Sequence, residues 1–356
     1  MIIGVDARSL SNKTNGIGRY TFELLIRLTN VKKYKWIIFA EKHSAIEGIP
    51  SRANIRIEIL ESKNKIHKQF NYHLLIPIRL KKLKCDIFWS PAHTFPLFIS
   101  SKIKKILTIH DLVWKNFPKT MAIFSRYIES FLMPISIKKA DEIITDSLAI
   151  RGEIIENFPK FKRKISVIYL APKSFIPKIQ RTTKTILFVG TFEPRKNLPR
   201  LINAFCGLSN EIKDDFELKL VGNKGWGPRI TIPSNNNINM VGWVSDADLE
   251  KLYQEAYLLA MPSLYEGFGL PLVEAMARGV PVLTSNTSAM AEIVGDAGIL
   301  IDPNSEESIT NGLTKILSSA KLRQRYSKAA INRSKYFSWD KAFKETLELF
   351  DKYEND

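Results

Sequence analysis

The sequence predicts an α/β protein of two doubly wound domains, each built on a parallel sheet, and three observations carry that prediction. Short apolar, β-rich runs alternate with longer segments of helical period along the whole chain. A length of 356 residues suits about two domains at the usual ~100–200 residues each, and a hydrophobic content of 45% lets each half bury a core. Between the two series lies Ala171-Pro-Lys-Ser-Phe-Ile-Pro177, followed by the polar Gln180–Thr183, which reads as a linker.

In the first half, strands are expected near Ile2–Asp6, Trp36–Ala40, Ile55–Leu60, Asp86–Ser90, Ile106–His110, Glu142–Asp146 and Ile165–Ile168. Helices fall between them near Ile17–Thr29, Gln69–Lys82, Ala122–Lys139 and Leu148–Asn157. The second series has strands near Thr185–Val189, Glu217–Val221, Ile238–Val241, Leu258–Ala260, Pro281–Thr284 and Gly298–Leu300, with helices near Pro199–Ser209, Asp246–Glu255, Leu270–Arg278 and Glu306–Leu317. The tail Ser338–Phe350 has apolar positions at helical spacing behind a Ser338 cap. In such folds ligands lie at the carboxyl ends of the strands, which places the expected site in a crevice between the two domains.

Composition narrows the function classes. Cys85 and Cys206 stand alone in apolar segments, which offers neither a disulfide framework nor a metal pattern and suits a reducing cytoplasm. Met1–Asp6 meets a charge too early for a secretory signal, and no run of ~18 apolar residues is present for a spanning helix. The net charge of +17 is lopsided: residues 1–172 hold 30 Lys and Arg against 14 Asp and Glu, whereas residues 173–356 hold 23 against 22. A basic first half attracts anionic lipid, nucleic acid or an acidic substrate, or simply solvates its surface. No zinc-finger, helix-turn-helix or RNP pattern accompanies the charge, which argues against nucleic acid.

The most informative stretch is Ser263-Leu-Tyr-Glu266-Gly-Phe-Gly-Leu-Pro-Leu-Val-Glu274-Ala-Met-Ala-Arg-Gly-Val-Pro281. Its glycines form a loop, Pro271 suits a first helical turn, and the N–H groups of Phe268, Gly269 and Leu270 would point out of the helix start, where phosphate is attracted. Glu266 and Glu274 on either side of an anion site make sense if they accept hydrogen bonds from hydroxyls of a nucleoside diphosphate sugar. Each glutamate taken alone is more often a solvated surface residue than a ligand contact; the joint pattern is far more specific.

The pattern E-G-F-G-x-P-x-x-E-A-M-A-x-G-x-P-V resembles the E-x7-E signature of retaining glycosyltransferases of family 4, which adopt the GT-B fold of two Rossmann-like domains. The resemblance extends over nearly the whole chain. It implies an acceptor-binding domain at 1–172, completed by the C-terminal helix 338–356, a linker at 173–184 and a donor-binding domain at 185–337. It further implies that Glu274 binds the ribose hydroxyls and Glu266 the hydroxyls of the donor sugar.

Three other places carry the likeness. Gly4-Val-Asp6-Ala-Arg8 followed by Asn15-Gly16-Ile17-Gly18-Arg19-Tyr20 looks like the first strand and glycine turn of the acceptor domain, where small residues let main-chain amides approach a ligand. Thr108-Ile-His110-Asp111 matches the family's His-Asp pair: His110 is expected to contact the transferred sugar, and Asp111 to orient or to cap a helix. Phe188-Val-Gly190-Thr-Phe-Glu-Pro-Arg195-Lys196-Asn197 sets two cations at a turn, where they would stabilise charge on a diphosphate leaving group. Thr191 stands where the family often has an arginine, so Lys196 is the closer match and Arg195 the second cation. Val241-Gly-Trp-Val244-Ser-Asp246 is similar to the turn beside the nucleotide base.

The resemblance implies a metal-independent hexosyltransferase with no cofactor beyond its nucleotide-sugar co-substrate, and Asp246-Ala-Asp248 reads as a helix start rather than a metal site. The likeness of Gly190–Asn197 to mannosyltransferase-like members points to GDP-mannose. The acceptor is expected to be a glycan, or a polyprenyl-diphosphate-linked glycan, of surface polysaccharide (lipopolysaccharide O-antigen or capsule). Peripheral contact with the inner face of the plasma membrane would run through the mixed apolar and basic segment Phe70–Lys84, which reads equally as a packed helix broken by Pro77. The rival readings are a nucleotide-sugar epimerase or a phosphorylase of the same fold, or a basic nucleic-acid-binding module.

Overall fold

The computed structural model describes residues 1–12, 16–173, 183–233 and 237–354. The chain forms two compact units, one of Met1–Trp114, Ile123–Leu170 and Trp339–Asp356, the other of Lys115–Ala122 and Ala171–Ser338.

The first unit is a seven-stranded parallel sheet of β1 (Ile2–Asp6), β2 (Lys35–Ala40), β3 (Ile55–Ile59), β4 (Ile87–Ser90), β5 (Lys104–Ile109), β6 (Glu142–Thr145) and β7 (Ile165–Val167), in the order β3-β2-β1-β4-β5-β6-β7. β1 pairs with β2 through Gly4↔Ile37 and with β4 through Val5↔Trp89. Strands covered on both faces need no alternation, which is why they read as continuous apolar runs. The sheet order reverses between β1 and β4, and there the carboxyl ends diverge to leave room for a ligand.

The last helix, Trp339–Asp351, packs on this unit as expected. Phe350 lies edge-on to Trp36 and Trp89, each ring centre 6.0 Å away, in the interior of the sheet's helix layer. Arg27–Asp340 and Lys33–Glu354 ion pairs, both 3.0 Å, align its polar face.

The second unit is a six-stranded parallel sheet, β8 (Thr185–Val189), β9 (Glu217–Val221), β10 (Ile238–Gly242), β11 (Leu258–Met261), β12 (Val282–Ser285) and β13 (Ile299–Ile301), ordered β10-β9-β8-β11-β12-β13. The amphipathic helices Leu198–Cys206 and Glu306–Leu317 cover one face, burying Leu201, Phe205, Leu313 and Ile316 against Phe188, Leu218 and Leu283. Leucine and isoleucine sit at i, i+3 and i+4 spacing on both, the stripe a sheet-facing helix needs.

Several expectations are corrected. Lys115–Ala122 belongs to the second unit rather than to a first domain of 1–172, because the Trp226 indole N–H donates to the Thr120 carbonyl (2.6 Å) and the Phe117 ring lies 5.1 Å from that of Tyr265. The segment Phe70–Lys84 is not broken at Pro77. Helix Lys65–Phe70 passes through a π turn at Asn71–Leu75 into helix Ile76–Lys82, and the Ile76 N–H reaches back five residues to Asn71. That wider turn lets the proline ring enter without striking the preceding turn's carbonyl. Helices Ser288–Val294 and Ala320–Ser334 were not expected. Asn15 and residues 174–182 of the expected linker lie outside the described residues.

Candidate active site

In the second unit the site begins where two main chains touch. A Cβ on Gly222, after β9, would lie 2.0 Å from the Gly190 carbonyl oxygen, so only glycine allows the ends of β8 and β9 to approach this closely. The chain leaving β8 then makes one 3-10 turn, Pro194–Lys196, and enters helix Leu198–Cys206 through Asn197, which is left-handed at φ 61°. The Asn197 side-chain N–H group donates to Pro262 O (3.0 Å) and Pro303 O (2.7 Å), and Leu264 N donates to Arg195 O (2.7 Å). Arg195 and Lys196 are therefore fixed by the loops that follow three strands, β8, β11 and β13.

Both cations converge on Glu266. Lys196 Nζ donates to Oε1 at 2.6 Å and Arg195 Nη1 to Oε2 at 2.9 Å, while Arg195 Nε pairs with Glu193 at 2.6 Å. Glu266 is 6% exposed and Lys196 8%. Burial alone would raise the Glu266 carboxyl; the charges of Lys196 and Arg195 and their hydrogen bonds outweigh it and hold it at about 2. Burial, with Arg195 beside it, draws the Lys196 ammonium below its ordinary value against the opposing pull of Glu266. The Ser288 hydroxyl donates to the Glu266 carbonyl at 2.5 Å, which ties the loop to helix Ser288–Val294.

Past Glu266 the loop turns inward. Phe268 is buried edge-on to Phe337 (5.7 Å), and Gly269, left-handed at φ 91°, caps helix Leu270–Ala277 with Pro271 in its first turn. A side chain at Gly269 would crowd Leu272 at 3.0 Å as well as strain the backbone. Glu274 is 4% exposed; its Oε2 accepts from the Tyr253 hydroxyl (3.0 Å), and its carbonyl accepts from Arg278 (2.7 Å), which is itself paired with Glu250. Neither glutamate of the signature is a solvated surface residue. Val244 lies half-buried just after β10, where Gly222 N donates to Gly242 O (2.8 Å). Asp246 pairs with Lys173 (2.8 Å), and Asp248 completes a helix cap with Ser245, whose Oγ accepts from the Asp248 N–H at 3.1 Å. Among the described residues no group of three or more His, Cys, Asp or Glu side chains is placed to hold a metal ion.

In the first unit, Gly16, Ile17 and Gly18 form the opening turn of helix Gly16–Leu28. His110 follows β5 with both ring nitrogens engaged, Nδ1 with Asp146 Oδ2 at 2.5 Å and Nε2 with Pro91 O at 2.8 Å. A carbonyl only accepts, so Nε2 carries a proton, and Asp146 decides whether Nδ1 does too. Burial disfavours the charged ring, but Asp146 more than offsets it, and His110 is raised above its ordinary value. With neither nitrogen spare, the ring would meet a ligand through its carbon edge and its charge, and the residue through its main chain. Asp111 accepts from Val113 N (3.2 Å), capping the short helix Val113–Asn116.

Arg195, Lys196 and Glu266 thus form one ion-paired cluster, adjoined by Phe268, Gly269, Leu270 and Glu274 in the same unit, while Gly16, Ile17, Gly18 and His110 belong to the other unit. Sequence reasoning missed Glu193, Tyr253, Ser288 and Asp146. Only Asp146, at the end of an apolar strand like His110, left a readable signal.

Residues 14–171 match the family described as Glycosyltransferase Family 4, and residues 172–333 match Glycosyl transferases group 1. The O-antigen chain mannosyltransferase B of Escherichia coli is 30% identical over 374 residues, covering 94% of this chain and 95% of its own. The chain belongs to glycosyltransferase family 4. Among solved structures, this glycosyltransferase resembles sucrose-phosphate synthase from Thermosynechococcus elongatus, with a TM-score of 0.77 at 16% identity over 99% and 98% of the two chains. It also resembles Anabaena Alr3699/HepE in complex with UDP and glucose, with a TM-score of 0.74 at 16% identity over 98% and 99%. Both share its GT-B architecture.

Proposed function

We propose that this glycosyltransferase moves mannose from a nucleotide diphosphate sugar, GDP-mannose, to a growing O-antigen glycan, with retention at the anomeric carbon. The observation that carries the reading is the buried Glu266 carboxylate gripped by Lys196 and Arg195 immediately ahead of the Gly269-capped helix. The name of the E. coli relative supports mannose and O-antigen.

Lys196, Arg195 and the amides of Phe268, Gly269 and Leu270 would take the diphosphate, Glu266 the hydroxyls of the sugar, Glu274 the ribose and the main chain at Val244 the base. The bond from the anomeric carbon to the diphosphate oxygen breaks as the acceptor oxygen bonds to that carbon on the same face. The acceptor proton passes to the departing phosphate oxygen. Preorganised cations stabilise the charge that grows on that oxygen, so no metal or resident cofactor is needed. Glu266, held ionised, acts as a hydrogen-bond acceptor and not as a nucleophile. Incubation with GDP-mannose and a mannose-terminated acceptor is expected to yield GDP and an α-linked product. A β-linked product would overturn retention, and conversion of donor without acceptor would favour an epimerase.

No helix among the described residues is long and apolar enough to cross a membrane. The lipid-linked acceptor would be met by peripheral docking. Ile66, Phe70 and Ile78 stand out from the Lys65–Lys82 segment beside Lys68, Arg79 and Lys81, and Phe124, Tyr127 and Phe131 line one side of helix Ile123–Lys139, each more than 60% exposed. Apolar side chains ringed by cations suit an anionic bilayer. The chain should float with phosphatidylglycerol vesicles at low salt, and a Phe124→Ser, Tyr127→Ser, Phe131→Ser variant should float less. Equal flotation of both would remove that helix from the interface.

A further inference from the structure

The Glu266 cluster includes a charge that the reaction described above does not use. Glu193 is 6% exposed, and its Oε1 lies 2.6 Å from Arg195 Nε. The main chain fixes it on both sides. Phe192 N donates to Asn223 O (2.9 Å), Glu193 N to Thr191 O (2.9 Å) and Lys196 N to Glu193 O (2.9 Å). A Cβ on Gly227, in the loop after β9, would lie 2.6 Å from the Pro194 ring, so that loop presses directly on the turn. Burying a carboxylate carries a desolvation cost even when it is paired. Holding Arg195 Nε in place needs only an acceptor, which a neutral amide oxygen also supplies. What the carboxylate adds is charge.

That charge brings the cluster to neutrality. Arg195 and Lys196 contribute two positive charges, Glu193 and Glu266 two negative ones, and the four side chains are linked within one unit. Without Glu193 an anion would meet a net positive cluster. The diphosphate of a nucleotide sugar carries about two negative charges, and the released nucleoside diphosphate about three near neutral pH. Coulomb attraction scales with the product of the charges, so a cationic cluster holds the product more tightly than the donor. An acid joined to the arginine weakens both holds, and that on the product most.

We propose that Glu193 is a positioning residue that, through Arg195, limits the affinity of the cluster for the departing nucleoside diphosphate and so lets that product leave. This rests on the reading above, in which the cluster receives the diphosphate.

The test is Glu193→Gln, in which an amide oxygen can still accept from Arg195 Nε while the charge is gone. Calorimetric titration with GDP and with UDP should show whichever one wild type binds held roughly threefold to thirtyfold more tightly by the variant, the effect of removing one charge from a partly screened site. The matching nucleotide sugar should gain less. Single-turnover transfer should stay close to the wild-type rate, whereas steady-state kcat should fall and inhibition by the nucleoside diphosphate should sharpen, because release becomes limiting. A residue that merely braces the turn would give the opposite sign, with weaker nucleotide binding and slower transfer in both regimes, which would overturn the inference. Unchanged nucleotide affinity in a folded variant would overturn it too. Should Glu193→Gln fail to fold, Glu193→Ala removes the same charge and should shift binding in the same direction. A wild type that binds no nucleoside diphosphate and transfers no hexose overturns the functional reading beneath the inference.

Discussion

Lys196→Ala is expected to lower turnover by roughly two to three orders of magnitude, the loss of about 3–4 kcal/mol that follows removal of one preorganised group from a site of developing charge. The ammonium is needed most as the bond breaks. A donor diphosphate is already anionic in the ground state, but charge on the bridging oxygen rises as the glycosidic bond breaks, so a fixed cation contributes more to the transition state than to binding. The loss should therefore fall mainly on kcat, with a smaller rise in KM for the donor. Lys196 should matter more than Arg195, because the arginine is shared with Glu193 and the Tyr265 carbonyl and is the more exposed of the two. The variant should remain folded, since Arg195 still holds Glu266 at 2.9 Å. Steady-state kinetics beside a thermal melt would check this, and turnover close to wild type in a folded variant would remove Lys196 from the chemistry.

What could be read in the chain and what could not follow from the range of the interactions. Strands such as Ile186–Phe188 and Leu258–Ala260 are covered on both faces and announce themselves by unbroken apolar runs. Helix Leu198–Cys206 was legible because its apolar positions repeat at helical spacing, whereas Ala320–Ser334 buries only Ser327, Ala330 and Ser334 and shows almost no apolar stripe. At the site, Glu266, Glu274, Arg195 and Lys196 could each be picked out, because a dense local motif surrounds them. Their joining could not be. The Lys196–Glu266 pair spans 70 residues and depends on Asn197 binding loops after two other strands. Tyr253 behind Glu274 looked like one more apolar-face residue of helix Asp246–Glu255, and nothing local says that its hydroxyl points at a carboxylate. The second anchor of His110, the Pro91 carbonyl, is a main-chain atom, and sequence carries no sign of it.

The same Glu266 pairing makes the stability of the protein depend on acid in a definite way. The folded carboxyl titrates at about 2 against an ordinary 4.5, a depressed value, so its contribution is fully present above about 4.5 and disappears as pH falls through 2. A displacement of that size corresponds to roughly 3 kcal/mol, and burial leaves little solvent to screen it. Glu266→Gln keeps the shape, removes the charge, and sets an amide N–H group against two cationic donors, so near pH 7 it should melt well below wild type. Between pH 4.5 and 2 the gap should close, because wild type protonates and loses the same charge while the variant has none to lose. Calorimetric melts of the two proteins across that range would show it. A gap that stayed constant with pH would mean that Glu266 is not the group held ionised between Lys196 and Arg195, and the arrangement proposed to receive the donor would fall with it.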